Sequence, residues 1–196
     1  MPLSLSAEQK ELLKIFKIEE QYVIPSYQRP YSWEYDHCFQ LYNDLQEAYK
    51  DNQDYFIGNI IIAKANNNKE VLEVVDGQQR LITLLLLFKT LSLFQLDLKI
   101  LNHLIEKEDW TGNLRVPRIR SDVFEANDGT TLSDVLNYSF EKIKERFGQV
   151  TDKSQKIIER LCKSKFECNI LYFYSWIKFF KENNGDLNIF TYYILR

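Results

Sequence analysis

The sequence lacks a membrane-spanning apolar run, a signal peptide and a paired-cysteine motif. Its most apolar stretch, residues 81–94, is interrupted by Lys89 and is shorter than the roughly 20 residues that cross a bilayer. The three cysteines, Cys38, Cys162 and Cys168, are odd in number and include no C-x-x-C pair, which argues against a disulfide framework and a zinc site. We therefore expect a protein of a reducing compartment, the cytoplasm, without a membrane partner.

The sequence also has no excess of positively charged residues. Lys and Arg total 25 against 28 Asp and Glu, and the formal net charge is -3. The chain as a whole therefore offers no positive field for a nucleic-acid backbone, and any contact with DNA must be local. A small basic cluster, Arg115, Arg118 and Arg120, indicates either a contact with DNA or nucleotide or, more simply, a solvated strand edge. The sequence assigns no DNA-binding residue.

The sequence does contain enough apolar material for a core. Its 196 residues are 45% hydrophobic and 14% aromatic, which fits one domain. We predict an α+β fold with a core over residues 1–96 and a mainly helical extension of the same domain over residues 97–196. The chain ends at Leu195-Arg196 inside a helical pattern without a termination signal, so we expect it to be truncated there.

Residue periodicity and turn chemistry predict the individual elements. Apolar spacing of three and four residues predicts helices, and β-branched runs bounded by turn residues predict strands. The elements predicted in this way are a helix over 7–17 with Ser6 in a capping box, a strand at Tyr22–Ile24, a helix over 34–50, a hairpin of 55–64 and 70–75 joined through Asn66–Asn68, a helix over 78–95, one helix through Leu132, Leu136, Phe140, Ile143 and Phe147, and a helix over 170–180.

The first motif with possible chemistry is the loop over residues 24–33, which is rich in proline, polar and aromatic residues. In its simplest interpretation it is a surface loop held by the packing of Tyr27, Tyr31 and Trp33. In a functional interpretation, the planar donor fork of Arg29 binds phosphate and the aromatic rings stack on a base. Composition alone leaves both interpretations open.

The second motif covers residues 74–83, where a β-branched run meets Asp76-Gly77 and then a leucine-rich helix. Glycine at such a turn lets the backbone approach a ligand, and the amides of the first helical turn with the charge of Arg80 suit an anionic phosphate. Asp76 can hold a magnesium ion or position a water. Alternatively, Asp76 simply caps the helix and Gly77 simply makes the turn.

The two motifs together identify a protein family more specifically than either motif does alone. The patterns I-P-x-Y-Q-R-x-Y-x-W at 24–33, Y-F-I-G-N-I at 55–60 and V-V-D-G-Q-Q-R-L-x-T-L at 74–84 occur in that order. The chain thereby resembles the N-terminal domains of GmrSD-type, modification-dependent (type IV) restriction enzymes. The resemblance is close over about residues 20–95, weaker at Arg118–Asp122, and departs at Ile82, where the family commonly has a small residue.

The resemblance implies a ParB/sulfiredoxin-like core, a small mixed sheet with helices, in which the D-G-Q-Q-R turn binds nucleotide phosphates. It implies hydrolysis of a nucleoside triphosphate, for which we expect Mg²⁺ as cofactor. Sulfiredoxin-like chemistry is not expected, because no cysteine has a basic partner nearby in sequence. The residues that match the family are Asp76, Gly77, Gln78, Gln79 and Arg80 in the turn and Tyr27, Gln28 and Arg29 in the first motif. We therefore predict Asp76, Gln79 and Arg80 as catalytic, Asp76 as metal ligand, and Tyr27, Gln28, Arg29, Gly77, Gln78 and Arg80 as nucleotide-binding. Thr83 joins the nucleotide-binding residues because it lies one helical turn from Arg80.

The implied function is that of an NTP-binding and NTP-hydrolysing regulatory domain in a phage-defence protein, controlling a C-terminal nuclease domain that is not in this chain. His37 and His103 do not form a His-Asn-His setting, so no nuclease active site is expected here, and each is expected to be structural or solvated. The alternative is a non-enzymatic module that senses DNA or a protein and uses the phosphate site only as a switch.

Overall fold

The structure is a computed structural model that describes residues 6–16, 21–64, 71–94, 99–108, 111, 115–121, 130–148 and 155–196. The helices within these residues are α1 (Leu12–Ile15), α2 (Tyr35–Lys50), α3 (Gln78–Phe94), α4 (Lys99–Ile105), α5 (Leu132–Leu136), α6 (Phe140–Gly148), α7 (Gln155–Leu161), α8 (Lys165–Glu182) and α9 (Leu187–Leu195). The strands are β1 (Gln21–Ile24), β2 (Ile61–Lys64), β3 (Val71–Asp76), β4 (Glu106–Glu108), β5 (Arg115–Pro117) and β6 (Ile119–Ser121). This composition confirms the predicted α+β class.

The main sheet is mixed and has the strand order β2-β3-β1-β6. β1 runs parallel to both β3 and β6, whereas β2 is antiparallel to β3, as the predicted hairpin requires. β4 and β5 form a separate antiparallel pair. Because β6 comes from the second half of the sequence, the sheet is not complete within residues 1–96, and the boundary at residue 96 stays a prediction. The connection over Asn66–Asn68 lies outside the described residues.

Helix α3 is at the centre of the core. Its sequence has neither glycine nor proline and is apolar on every side, and the residues from Leu84 to Phe88 are fully buried. The longest helix, α8, packs along α3 and also contacts α2. Among the residues that the structure describes, none of the helices combines the length and the apolarity needed to cross a membrane.

Helix α1 is shorter than predicted. It begins at Leu12, and its N-cap is Glu11, which makes no side-chain cap hydrogen bond, rather than Ser6. Residues 6–11 are exposed, whereas Leu12 and Phe16 are buried. Short helices are marginal in water, so the helix forms only where its apolar side chains reach the core. Residue 17 lies outside the described residues.

The helix predicted through Leu132 and Phe147 is divided into α5 and α6. Asn137 ends α5, and the Ser139 hydroxyl oxygen accepts a hydrogen bond from the Lys142 amide at 3.1 Å, which caps the start of α6. Short polar side chains compete with the helical backbone in this way, and periodicity does not reveal it. The predicted helix over 170–180 is correct but extends further, over Lys165–Glu182.

A buried carboxylate joins the C-terminal helices. Glu167 on α8 is 1% exposed and accepts hydrogen bonds from Tyr138 Oη at 3.0 Å, Arg146 Nε at 3.0 Å and the Lys163 amide at 2.7 Å. Burial raises the pKa of Glu167, but the bonds from Arg146, the Lys163 amide and Tyr138 outweigh burial, so its pKa lies below the ordinary value of 4.5.

We predict that Glu167→Gln lowers the free energy of unfolding at neutral pH by about 1–3 kcal/mol, because it removes the charge that these donors engage. A depressed folded-state pKa stabilises the protein above the unfolded-state pKa, and this contribution is lost as the pH falls through the folded-state value. Urea unfolding should therefore show a flatter loss of stability below pH 4.5 in the variant. Glu141→Gln, at an exposed position of α6, is the control and should match the wild type. Equal pH profiles for both variants would contradict the assignment.

Candidate functional site

The D-G-Q-Q-R motif forms the predicted turn between β3 and α3. Asp76 is the last residue of the strand, Gln78 is the first of the helix, and Gly77 between them has a φ of 86°, in the left-handed region that favours glycine. A Cβ at Gly77 would lie 3.0 Å from the Asn59 carbonyl oxygen and 3.1 Å from the Ile60 Cα. The segment over residues 56–60 therefore crosses directly over this turn, which explains why the predicted strand over 55–64 begins only at Ile61.

The two glutamines of the motif hold the first motif's loop against the start of α3. Gln78 Nε2 donates to the Arg29 carbonyl at 3.1 Å and to Gln28 Oε1 at 3.2 Å. Gln79 Nε2 donates to the Pro30 carbonyl at 3.1 Å, and Gln79 Oε1 accepts from the Ser32 amide at 2.8 Å. Both glutamines are buried. The structure thus brings the two motifs together, and Gln78 and Gln79 fix the backbone of the loop.

A buried hydrogen-bond chain continues this contact into the core. Thr83 Oγ1 donates to the Gln79 carbonyl at 2.8 Å, so Tyr31 Oη is the donor in its 2.7 Å contact with Thr83 Oγ1. Asn169 Nδ2, on α8, donates to Tyr31 Oη and to the Trp33 carbonyl, each at 2.9 Å. Thr83 is fully buried. It therefore acts as a positioning residue for the loop, and the structure gives it no route to a ligand at the surface.

Arg80 is the first residue of α3 to reach an open surface. Its Nη1 donates to the Asn59 carbonyl at 2.9 Å, and its guanidinium carbon would lie 2.9 Å from a Cβ at Gly58. Gly58 has a φ of 97°, so glycine is required there both for the backbone conformation and for the close approach of Arg80. The segment over residues 56–60 thereby fixes the direction of the Arg80 side chain.

Arg80 lines a cleft of about 310 Å³ on the surface of α2. The other lining residues are Trp33, Asp36, His37, Gln40, Leu41, Asp44, Tyr55 and Ile57. Tyr55 Oη donates to Asp44 Oδ2 at 2.9 Å, and burial followed by the neighbouring Asp44 carboxylate raises the pKa of Tyr55 to about 12, against an opposing effect of Arg80. The cleft therefore combines aromatic walls, two carboxylates, one guanidinium and the His37 imidazole, which stacks on the Trp33 ring with a centroid distance of 5.5 Å.

The other predicted site residues lie on the surface around the turn. Asp76, Tyr27 and Arg29 are exposed, and Gln28 Nε2 donates to the Val75 carbonyl at 2.8 Å. None of these four lines the cleft beside Arg80. No group of three or more His, Cys, Asp or Glu side chains is placed to hold a metal within the described parts of the chain. Magnesium commonly uses one or two carboxylates with phosphate and water, so Asp76 as its ligand stays a prediction.

The sequence analysis missed the α2 face of the cleft and the role of Gly58. Asp36, Gln40 and Asp44 recur at every fourth position of α2, which places them on one helix face. Cys38, Leu41, Tyr42 and Leu45 of the same helix are buried. The four-residue recurrence of polar side chains was the available signal, but charged faces of helices are usually only solvated.

Arg118 does not fit the simpler interpretation of the basic cluster as a solvated strand edge, whereas the exposed Arg120, on the edge strand β6, does. Arg118 is fully buried and donates through Nη2 to the carbonyls of His103 and Glu106, the latter at 3.2 Å. Arg120 is exposed, and the side chain of Arg115 lies outside the described part of the structure. A guanidinium that bonds backbone carbonyls in the core stabilises the fold and cannot reach DNA.

Comparison with known families gives one finding. The family model described as GmrSD restriction endonuclease, N-terminal domain, matches residues 11–195. The matched region extends through both halves of the sequence, from α1 to α9. No curated protein matches the chain.

We predict that Gly77→Ala lowers the free energy of unfolding by about 1–3 kcal/mol, because alanine is strained at positive φ and its Cβ meets the backbone of residues 59–60. Gly148→Ala is the matched control, since a Cβ there meets no described atom within 4 Å. Urea unfolding of both variants checks the prediction. If Gly77→Ala is as stable as Gly148→Ala, the close crossing over the turn is wrong.

We also predict that Gln79→Leu frees the loop over residues 26–33 without unfolding the domain. The change removes the acceptor of the Ser32 amide and the donor to the Pro30 carbonyl, each worth about 1 kcal/mol. Amide hydrogen exchange at Ser32 should therefore accelerate about tenfold or more. Gln46→Leu is the control, because the Gln46 side chain donates to Tyr42 Oη on the same helix and does not contact the loop. Unchanged exchange at Ser32 in Gln79→Leu would count against the proposed contact.

Proposed function

This chain belongs to the family of GmrSD restriction endonuclease N-terminal domains and is part of a restriction system of that type, and from this membership we propose that it binds a nucleoside triphosphate together with Mg²⁺. The bound nucleotide regulates a nuclease domain that lies elsewhere in the full-length protein. The phosphates bind at the start of α3, beside Arg80, and the loop over residues 24–33 forms the neighbouring wall.

The position of Arg80 is the observation that carries this proposal. Its guanidinium stands at the first turn of α3, where helical N–H groups and the helix dipole favour an anion. One of its five N–H donors bonds the Asn59 carbonyl, which leaves a fork of donors for a phosphate. The contacts with Gly58 and Asn59 hold this charge in place, so little conformational entropy is lost on binding.

The neighbouring residues have supporting roles. In this proposal Asp76, exposed at the end of β3, coordinates Mg²⁺ together with phosphate oxygens and waters. The backbone carbonyl of Arg29 accepts a hydrogen bond from Gln78, and its exposed side chain supplies a second positive charge at this surface. Gln79 acts through the loop rather than on the reacting water, because its amide is hydrogen-bonded at both ends.

A second candidate function is a switch that binds nucleotide without hydrolysing it. The hydrogen bonds of Gln79 favour this candidate, since they engage both ends of a side-chain amide that the sequence analysis expected to be catalytic. A ligand at the start of α3 would still reach the loop over residues 24–33 through the same two glutamines. A phosphate-release assay on the full-length protein separates the two candidates.

We predict that Arg80→Ala weakens binding of a triphosphate about ten- to hundredfold, because it removes a charge-assisted hydrogen bond worth about 1.5–3 kcal/mol. Asp76→Asn should retain binding in the absence of metal and lose the additional affinity that Mg²⁺ confers. Isothermal titration calorimetry with each of the four common triphosphates, with and without Mg²⁺, measures both effects.

The controls are Arg160→Ala, on the exposed surface of α7, and Asp51→Asn, after the last residue of α2. Both should bind like the wild type. Normal binding by Arg80→Ala, or an absence of binding by the wild-type chain, would refute the phosphate site. Wild-type rates of phosphate release from Asp76→Asn in the full-length protein would refute a metal role for Asp76.

A further inference from the structure

The cleft on α2 is open to solvent and large enough to receive a small aromatic ligand. Its volume of about 310 Å³ lies at the lower end of the usual range for ligand pockets, about 300–1,000 Å³. Trp33, Tyr55 and Ile57 supply aromatic and aliphatic surface, and Arg80 stands at its edge beside the start of α3. A nucleoside fits this volume, whereas a stretch of duplex does not.

The charges in the cleft determine which end of a nucleotide it can take. Asp36 and Asp44 both line it, against the single guanidinium of Arg80. A triphosphate placed between the two carboxylates would be repelled, whereas an uncharged base would not. A nucleotide whose phosphates lie at Arg80 and the start of α3 therefore directs its base into the cleft.

The Asp36 carboxylate favours one base over the others. Both oxygens of Asp44 are engaged, by Tyr55 Oη and by Gln40 Nε2, and this holds the Asp44 side chain in one orientation. Among the described residues, no donor bonds the Asp36 carboxylate. Guanine presents two adjacent donors, N1–H and N2–H₂, that match a carboxylate with two bonds, whereas adenine, cytosine and uracil offer no such pair.

We propose that this cleft is the nucleoside subsite of the nucleotide site and that Asp36 selects guanine by accepting hydrogen bonds from N1–H and N2–H₂. Trp33 and Tyr55 supply the aromatic surfaces against which the base lies. This inference rests on the proposed function, because it requires phosphate binding at Arg80. It makes the α2 face a specificity element that lies outside the D-G-Q-Q-R turn.

The test is calorimetric titration of the chain with GTP, ITP, ATP, CTP and UTP in the presence of Mg²⁺. ITP is GTP without the N2 amine, so it isolates one of the two proposed bonds. We expect GTP to bind tightest, ITP to bind roughly tenfold more weakly, and Asp36→Asn to weaken GTP roughly tenfold while changing ATP and UTP little. Asp51→Asn, at the other end of α2, is the control and should leave all five affinities unchanged.

Tryptophan fluorescence gives a second readout that does not depend on Asp36. Because Trp33 lines the cleft, GTP should change the emission of the wild type, and Trp33→Phe should lose this change. Equal affinity for all five nucleotides in the wild type and in Asp36→Asn would overturn the subsite while leaving Arg80-dependent phosphate binding intact.

Two other outcomes would also overturn the inference. If the wild type binds no nucleotide, the subsite and the proposed function fail together. If Asp36→Asn instead abolishes binding of a single-stranded oligonucleotide while free nucleotides do not compete, the cleft receives a base of DNA. The negative lining and the net charge of -3 argue against that last outcome.

Discussion

The candidate site depends on the hydrogen bonds between the side chains of Gln78 and Gln79 and the backbone of the loop over residues 29–32. A loop that contains proline cannot satisfy its own amide and carbonyl groups in a ladder, and a buried group left without a partner costs about 1–3 kcal/mol. A glutamine side chain has both a donor and an acceptor, and Gln79 uses both, on the Pro30 carbonyl and the Ser32 amide. The position of α3 therefore sets the conformation of the loop, and the loop leads directly into α2, which forms one wall of the cleft.

The location of these glutamines ties the loop of the candidate site to the core. They lie buried in the first turn of α3, so the loop is attached to the helix at the centre of the core. Arg80 follows at once and is half-buried, with its direction determined by Gly58 and Asn59. A preorganised charge binds an anion without first paying to order a flexible side chain. The packing of α3 in the core therefore also determines where the loop and Arg80 lie.

The sequence was sufficient to predict the fold class, the strand at Tyr22–Ile24, the helix over 34–50 and the turn at Asp76-Gly77, because each has a strong local signal. It also identified the two motifs that the structure brings together. It did not show that Gln79 and Thr83 face the loop, that Arg118 is in the core or that Asp36 faces a cleft. These facts depend on contacts between residues far apart in the sequence, and a polar side chain has the same identity whether it binds a ligand, a backbone carbonyl or water.

The contact of Asn169 with Tyr31 Oη and the Trp33 carbonyl has a consequence for biosynthesis. The two partners are separated by more than two thirds of the chain, so a ribosome must have translated α8 before the loop can reach its final arrangement. During most of translation, the loop and the start of α3 emerge without the side chain that completes them. The loop of the candidate site therefore reaches the arrangement seen in the structure only after α8 has been translated.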